Sequence, residues 1–272
     1  MFKRDILNIF DEWAEQENRK PLVLRGARQV GKTTAVNLWS SRFDYYLYYN
    51  LDLAQDKKIF EENIEFEELL EALFFNRNIP RNSGSTLLFI DEIQNSPTAV
   101  EKLRYFYEKA GDVYVIAAGS LLETLIDRHI SFPVGRVEYR IMRPLSFREY
   151  LSAMGEDNLT AALEDVPVKQ YAHERLLKAF KRYTLIGGMP EIVNVYKKTR
   201  DLARLKPVYD SLITAYLDDV EKYAKNRAQA GIIRHIVSNV FLEASSRITF
   251  RGFGRSNYRS REMGEAFAIL EK

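Results

Sequence analysis

Residues along the first half of the chain follow two spacings, one typical of buried strands and one typical of helices. Runs of apolar or aromatic residues predict strands at 21–24, 45–50, 87–90 and 113–118, and an alternating segment predicts a fifth strand at 137–142. Helical spacing predicts helices at the N-terminus, at 34–39 after the loop that follows the first strand, and around 66–75 and 100–107. Strands that alternate with helices predict an α/β fold with a mainly parallel sheet covered by helices on both faces.

Beyond residue 150 the pattern is only helical. It predicts one helix over 171–186, a second over 202–223 and a third through Ile232, Ile236, Val240 and Phe241. The stretch 155–168 is typical of a linker, although a helical turn at 159–163 fits as well. The end of the strand pattern near residue 150 and the breaks between the later helices predict three parts of the chain. They are 1–153, 170–227 and 228–272.

Composition narrows the classes of protein. A chain of 272 residues with 46% hydrophobic content suits two domains with real cores. The absence of cysteine excludes disulfides and thiolate metal sites, and three scattered histidines argue against a histidine metal site. No signal-peptide core and no apolar run of about 18 residues occur, so we expect a cytoplasmic protein without a membrane partner. A net charge of +2 is too small to indicate nucleic acid by itself.

A phosphate-binding loop of the form G-x-x-x-x-G-K-T follows the first predicted strand. Its glycines allow backbone N–H groups and the following helix N-terminus to face anionic phosphates. Lys32 is placed to reach the β- and γ-phosphates and Thr33 to ligate Mg²⁺. The alternative is an ordinary glycine-rich turn. The predicted nucleotide-binding residues here are Gly26, Ala27, Arg28, Gln29, Val30, Gly31, Lys32, Thr33 and Thr34.

Two carboxylates follow the apolar strand at 87–90. Open α/β sheets bind ligands at this carboxyl end of their strands. We expect Asp91 to support the Mg²⁺ ion and Glu92 to orient and activate the attacking water. The alternative is an acidic helix cap. A neighbouring base suits a hydrolase, whereas a kinase must keep water out.

Ser120 ends the fourth predicted strand and is our candidate sensor of the γ-phosphate. The alternative is a helix N-cap, because Ser120 and Glu123 form the sequence pattern of a capping box. Both roles are compatible.

These motifs together resemble a prokaryotic AAA+-superfamily ATPase family. The motifs that carry the resemblance are Gly-Ala-Arg-Gln-Val-Gly-Lys-Thr-Thr, Phe-Ile-Asp-Glu-Ile-Gln, Ala-Ala-Gly-Ser-Leu-Leu-Glu, Ile-Ser-Phe-Pro-Val-Gly-Arg-Val-Glu, Arg-Pro-Leu-Ser-Phe-Arg-Glu-Tyr, Gly-Gly-Met-Pro-Glu and Tyr-Leu-Asp-Asp-Val. The resemblance implies an AAA+-like ATPase core over 1–153, a helical lid over 170–227 and a winged-helix-like segment over 228–272. It also implies a further nuclease-like domain, so we expect the chain to be a fragment or the product of a truncated gene.

Arg136 lies just before the fifth predicted strand, where AAA+ proteins commonly carry an arginine that reaches a neighbour's ATP. A cation there stabilises charge on the transferring phosphoryl group. Arg128 is the substitute candidate. The alternative is a surface arginine paired with Glu138. A finger role for either arginine implies a homo-oligomer.

A basic segment near the C-terminus interleaves arginines with aromatic residues and contains no acidic residue. Arginine and aromatic side chains suit phosphate contacts and base stacking, which favours DNA as a partner. The alternatives are a solvated loop or a protein interface. The arginines are Arg247, Arg251, Arg255, Arg259 and Arg261.

The sequence therefore predicts a Mg²⁺-dependent ATPase of the AAA+ type, with ATP and Mg²⁺ as ligands, that acts as a switch or motor. The alternatives are a P-loop kinase and a nucleotide-switched scaffold with little turnover. The biological process stays open.

Overall fold

The computed structural model of the protein describes residues 2–81, 84–119, 133 and 135–271. The chain divides after Arg200 into two compact units. Within the described ranges, no helix combines the length and the apolar character that crossing a membrane requires.

The first unit is built on a five-stranded sheet in the order β2-β3-β4-β1-β5, in which every pair of neighbours is parallel. The strands are β1 Leu22–Arg25, β2 Tyr45–Asn50, β3 Thr86–Asp91, β4 Val113–Gly119 and β5 Glu138–Ile141. All five predicted strands are confirmed within one or two residues. Because β4 lies between β1 and β3, one strand separates the phosphate loop from the acidic pair.

Helices cover both faces of this sheet, as the sequence predicts. Each face has its own hydrophobic core, and β3 is buried along its whole length. One face carries α1 Ile6–Ala14 and α2 Lys32–Trp39. The other carries α3 Ala54–Glu61, α4 Phe66–Asn76 and α5 Pro97–Lys109.

Four further helices occur among the described residues of the first unit. They are α6 Phe147–Met154, α7 Asp157–Leu163, α8 Gln170–Ile186 and α9 Pro190–Thr199. The linker predicted at 155–168 is wrong, because α7 buries Leu159 and Ala162 in a cluster with Leu151 and Leu176. The helical turn proposed at 159–163 lies inside this helix.

The second unit is helical in its described part and contains no strand between residues 201 and 271. Its helices are α10 Lys206–Tyr223, α11 Arg227–Asn239 and α12 Ser260–Glu271. Ile232, Ile236 and Met263 lie in its core. The predicted helical stripe is wrong at Phe241, which follows α11 and is 71% exposed. The winged-helix-like segment and the three-part division of the chain stay predictions.

Candidate nucleotide-binding site

The phosphate loop connects β1 to α2 at the carboxyl end of the sheet. Its first glycine, Gly26, has a φ of 149°, and a Cβ atom there would lie 2.2 Å from the carbonyl oxygen of Met142. Gly31, which precedes α2, has a φ of 94°. Only glycine adopts both conformations without strain, so the loop geometry accounts for both glycines of the motif.

Lys32 is the first residue of α2 and is almost fully buried. Its Nζ donates hydrogen bonds to the carbonyl oxygens of Gly26, at 2.8 Å, and Ala27, at 3.0 Å. Burial lowers the pKa of this ammonium group, while the carboxylates of Glu92 and Asp91 act in the opposite direction. The cation therefore lies inside the loop, beside both acidic residues of the second motif.

Thr33 and Asp91 join the two motifs across 58 positions of sequence. The Thr33 Oγ1 donates a hydrogen bond to Asp91 Oδ2 at 2.6 Å. Burial raises the pKa of Asp91, although hydrogen bonds from Thr33, the Glu92 backbone and Tyr48 and the charge of Lys32 oppose this effect. A nearby cation stabilises the ionised form of a buried carboxylate such as Asp91.

The oxygen ligands fit Mg²⁺, which is usually held by one or two carboxylates together with water and substrate phosphates. Asp91 and Thr33 supply a carboxylate and a hydroxyl within hydrogen-bond distance of one another. The described residues contain no cluster of three or more histidine or acidic side chains that could hold a metal by themselves. Asp91 and Thr33 thus suit a metal ion that is held by these two side chains together with water and substrate phosphates.

Glu92 follows β3 in a left-handed conformation, with φ 52° and ψ 43°. Its carboxylate accepts a hydrogen bond from the Gln94 side chain. Its side chain does not cap the short 3-10 turn that follows, and α5 is capped instead by Ser96, which accepts a hydrogen bond from the Ala99 backbone at 3.3 Å. The helix-cap alternative for Glu92 is therefore wrong.

A cavity of about 520 Å³ opens beside these residues. Seven of the predicted site residues line it, and they are Arg28, Gln29, Gly31, Lys32, Thr33, Thr34 and Glu92. Gly26 and Ala27 contribute carbonyl groups to Lys32, and Val30 is fully buried in the core on the face of α1 and α2. The predicted residues of the loop thus surround one cavity.

Three residues to which the sequence analysis assigned no role in the site also line the cavity, and they are Asp52, Pro190 and Glu191. Asp52 lies just after β2, at the carboxyl edge of the sheet, and this position is a signal that could have identified it. Its carboxylate accepts a hydrogen bond from Asn95 Nδ2 at 2.6 Å. Pro190 and Glu191 begin α9, and no local pattern connects them to the loop.

Arg136 lies away from this cavity. It precedes β5, at the amino end of the sheet, whereas the phosphate loop follows the carboxyl end of β1. Its Nε contacts Glu108 Oε1 at 3.0 Å, so Glu138 is the wrong partner and pairs with Arg140 instead. The other two candidates of this region, Ser120 and Arg128, lie outside the described residues.

The five arginines of the basic segment are exposed in the second unit. Arg261 pairs with Glu265 at 3.0 Å. Phe253 is only 3% exposed and packs on Phe267, with ring centroids 5.0 Å apart, so it belongs to the core and cannot stack on a base. Phe250 and Tyr258 are partly exposed, at 41% and 36%.

Comparisons with known proteins match two parts of the chain to family models. Residues 18–151 match the AAA domain family, and residues 177–272 match a family described as a domain of unknown function (DUF8612). Curated protein sequences give no match to the chain.

Three solved structures are similar to the chain to different degrees. The Walker-type ATPase paby2304 of Pyrococcus abyssi has a TM-score of 0.58 at 15% identity, and the match covers 100% of this chain and 89% of that chain. PCH-2 of C. elegans has a TM-score of 0.42 at 13% identity, with 72% and 62% of the two chains covered. ORC1 of Aeropyrum pernix, solved in complex with DNA, has a TM-score of 0.41 at 14% identity, with 98% and 81% covered.

The first of these similarities establishes the fold. The AAA-domain match over 18–151 agrees with the parallel sheet and with the phosphate loop after β1. Residues 18–151 are therefore similar to the AAA domain family, and the chain shares the fold of a Walker-type ATPase.

Proposed function

We propose that this protein hydrolyses ATP in a Mg²⁺-dependent reaction. The observation that carries the proposal is the 2.6 Å contact between Thr33 Oγ1 and Asp91 Oδ2, because it joins the phosphate loop to the acidic strand end beside one cavity. Lys32 and Glu92 line the same cavity. A phosphate-binding cation, a pair of metal ligands and a base are thus available together.

Each residue has a separate role in this proposal. The loop N–H groups and Lys32 bind the phosphates, and Thr33 and Asp91 hold the metal ion. A Mg²⁺ ion held by these two residues would offset the charge that develops on the transferring phosphoryl group. Glu92 orients a water molecule and accepts its proton as the water attacks the γ-phosphorus, and ADP leaves with its new charge stabilised by Lys32.

Two other classes of nucleotide-binding protein are distinguished by turnover. A P-loop kinase requires an acceptor molecule, and a nucleotide-switched scaffold hardly turns ATP over. Glu92 favours hydrolysis, because a base beside the cavity activates water rather than excluding it. Release of ADP in ATP and Mg²⁺ alone, without an acceptor, distinguishes the ATPase from both.

The variant Glu92→Gln tests the mechanism directly. It keeps the size and hydrogen-bonding capacity of the side chain but removes the base. We expect ATP affinity to stay within a few-fold and kcat to fall by about 10²-fold or more, the usual contribution of a positioned base. Glu101→Gln, an exposed position on α5, is the matched control and should keep the wild-type rate. Wild-type turnover in Glu92→Gln would contradict the assignment.

We further propose that hydrolysis requires a homo-oligomer in which Arg136 of one copy reaches the ATP of the next. In support, Arg136 is 47% exposed and lies at the opposite end of the sheet from its own cavity. An arginine supplied in this way contributes about 10³–10⁵ in rate in well-studied systems. Arg128 is the substitute.

We propose DNA as the partner of this switch or motor, through the basic segment of the second unit. Four of its exposed arginines form no ion pair with any described residue, and they are Arg247, Arg251, Arg255 and Arg259. Unpaired, solvated arginines are available for phosphate contacts. Phe250 and Tyr258, which are partly exposed, are the side chains available for stacking on a base.

A further inference from the structure

Arg4 is a buried arginine that the proposed chemistry does not use. It precedes α1 and is only 7% exposed. Its Nη1 donates to the carbonyl oxygen of Val30 at 2.9 Å, and its Nη2 donates to the carbonyl oxygen of Arg143 at 2.7 Å. Its Nε donates to Glu149 Oε1 at 2.8 Å. One guanidinium group therefore joins the phosphate loop, the segment after β5 and helix α6.

Glu149 holds this guanidinium group in place. Its carboxylate also accepts hydrogen bonds from the backbone N–H groups of Asp5 and Ser146, both at 2.8 Å. Burial by itself would raise the pKa of Glu149, but the hydrogen bonds from Arg4 and from these two backbone groups outweigh burial and lower the pKa. Arg4 and Glu149 thus form a charged pair, and its hydrogen bonds fix the orientation of the planar guanidinium group.

The contact with Val30 restrains one peptide group of the phosphate loop. The carbonyl of Val30 and the N–H of Gly31 belong to one planar, trans peptide group and point in opposite directions. Because Arg4 holds this carbonyl, the N–H of Gly31 points away from the guanidinium group. Gly31 lines the cavity, and because it has no Cβ atom its own backbone conformation restrains this peptide group little.

The second carbonyl contact of Arg4 is connected to the wall of the cavity through neighbouring residues. Arg143 lies two residues before Leu145, whose N–H donates to the Gly188 carbonyl oxygen at 2.7 Å. Gly188 in turn lies two residues before Pro190, which lines the cavity at the start of α9. The guanidinium group thus ties the phosphate loop to the chain segment that supports α9.

We propose that Arg4, held by Glu149, is a positioning residue that orients the Gly31 N–H toward the phosphates and orders the loop before nucleotide binds. The proposal rests on the nucleotide binding proposed above. Arg4 acts through the loop and touches no reacting atom. A side chain that only supports the fold would lower overall stability without changing the phosphate loop selectively.

The test compares Arg4→Lys with Arg148→Lys in the whole protein. Lysine keeps the charge at position 4 but cannot reach three acceptors at once. Arg148 is the matched control, since it is 50% exposed and pairs with Asp5 at 3.5 Å and Glu164 at 2.7 Å. Circular dichroism first establishes that each variant is folded. If Arg4→Lys does not fold, Glu149→Gln, which keeps the shape of the carboxylate, takes its place.

Two measurements are made on each folded variant. Hydrogen–deuterium exchange of residues 26–36 without nucleotide should be at least about tenfold faster in Arg4→Lys than in Arg148→Lys, while the strands keep their protection. Calorimetric titration with Mg²⁺-ATP should give a Kd at least about tenfold higher in Arg4→Lys.

Exchange in the loop that matches the control, or ATP affinity that matches the wild type, would overturn the positioning role. A wild-type protein that binds no ATP, together with faster loop exchange in Arg4→Lys, would instead refute the proposed nucleotide binding and leave the ordering of the loop by Arg4 intact. The exchange measurement needs no ligand, so the two failures are distinguishable.

Discussion

Gly188 offers a sharp test of how the helical part of the first unit supports the nucleotide cavity. A Cβ atom at this buried position would lie 2.3 Å from the carbonyl oxygen of Leu145 and 3.0 Å from its nitrogen. Ordinary contacts of a Cβ atom begin at 3.4 Å, so in Gly188→Ala the two backbone segments must separate by about 1 Å. The hydrogen bond from the Leu145 N–H to Gly188 is thereby lost.

The expected magnitude follows from these contacts. An unsatisfied, buried backbone donor costs about 1–3 kcal/mol. Replacing glycine by alanine stabilises by about 0.4–1 kcal/mol through the unfolded chain, because neither the folded backbone at Gly188 nor that at Gly111 is left-handed. The net loss for Gly188→Ala is about 1–2 kcal/mol, or about 2–8 °C in Tm for a unit of this size.

Gly111→Ala is the matched control, because a Cβ atom at this position would have no atom within 4 Å of it. It should unfold at or slightly above the wild-type temperature. Thermal unfolding with and without Mg²⁺-ATP measures both stability and binding. Gly188→Ala should also lose part of the ATP-induced rise in Tm, because Pro190 and Glu191 follow it and line the cavity.

The reasoning would be refuted if Gly188→Ala unfolded at the temperature of Gly111→Ala and bound ATP like the wild type. That result would mean that the contact between Gly188 and Leu145 is not needed to hold the start of α9. A large loss of stability with unchanged ATP affinity would refute only the connection to the cavity.

Three other predictions address binding, assembly and DNA. Lys32→Ala removes a cation that lies inside the phosphate loop, so ATP affinity measured by calorimetry should fall at least tenfold, about 1.4 kcal/mol, and unchanged affinity would exclude the phosphate-loop assignment. Arg136→Ala should bind ATP normally but hydrolyse it poorly, and mixing it with Lys32→Ala should recover some turnover; no recovery in co-assembled mixtures would argue against an arginine supplied by a neighbour. Changing Arg251, Arg255 and Arg259 to Gln should flatten the log–log salt dependence of DNA binding by about two to three units while ATPase activity persists, and an unaltered slope would assign these residues to a solvated loop or a protein interface.

Local patterns predicted most of the first unit correctly, and the exceptions have physical reasons. The five strands were identifiable because buried parallel strands are continuous apolar or aromatic runs. Helix α3 was missed because it buries only Asp56 and Phe60, which is too few positions to give a period. The prediction of a linker at 155–168 was wrong. This stretch contains glycine, acidic residues and Pro167, which are typical of loops, and helix α7 is too short to give a clear helical period.

The sequence by itself determined which residues form the predicted phosphate loop and the acidic strand end. A loop of this kind is specified by residues that are adjacent in the chain, where Gly26 and Gly31 set the backbone and Lys32 and Thr33 follow at fixed spacing. The pair after β3 was identifiable for the same reason. These are local signals, and they are recognisable in the chain without knowledge of its neighbours in space.

Only the tertiary structure decided which distant residues complete the site. The order of the strands brings Thr33 to Asp91, and the packing of α9 brings Glu191 to the same cavity. Arg4 reaches Val30 and Glu149 across 26 and 145 positions of sequence. Contacts of this kind depend on how the elements pack rather than on any local period, so the residues that support the loop are visible only in the folded protein.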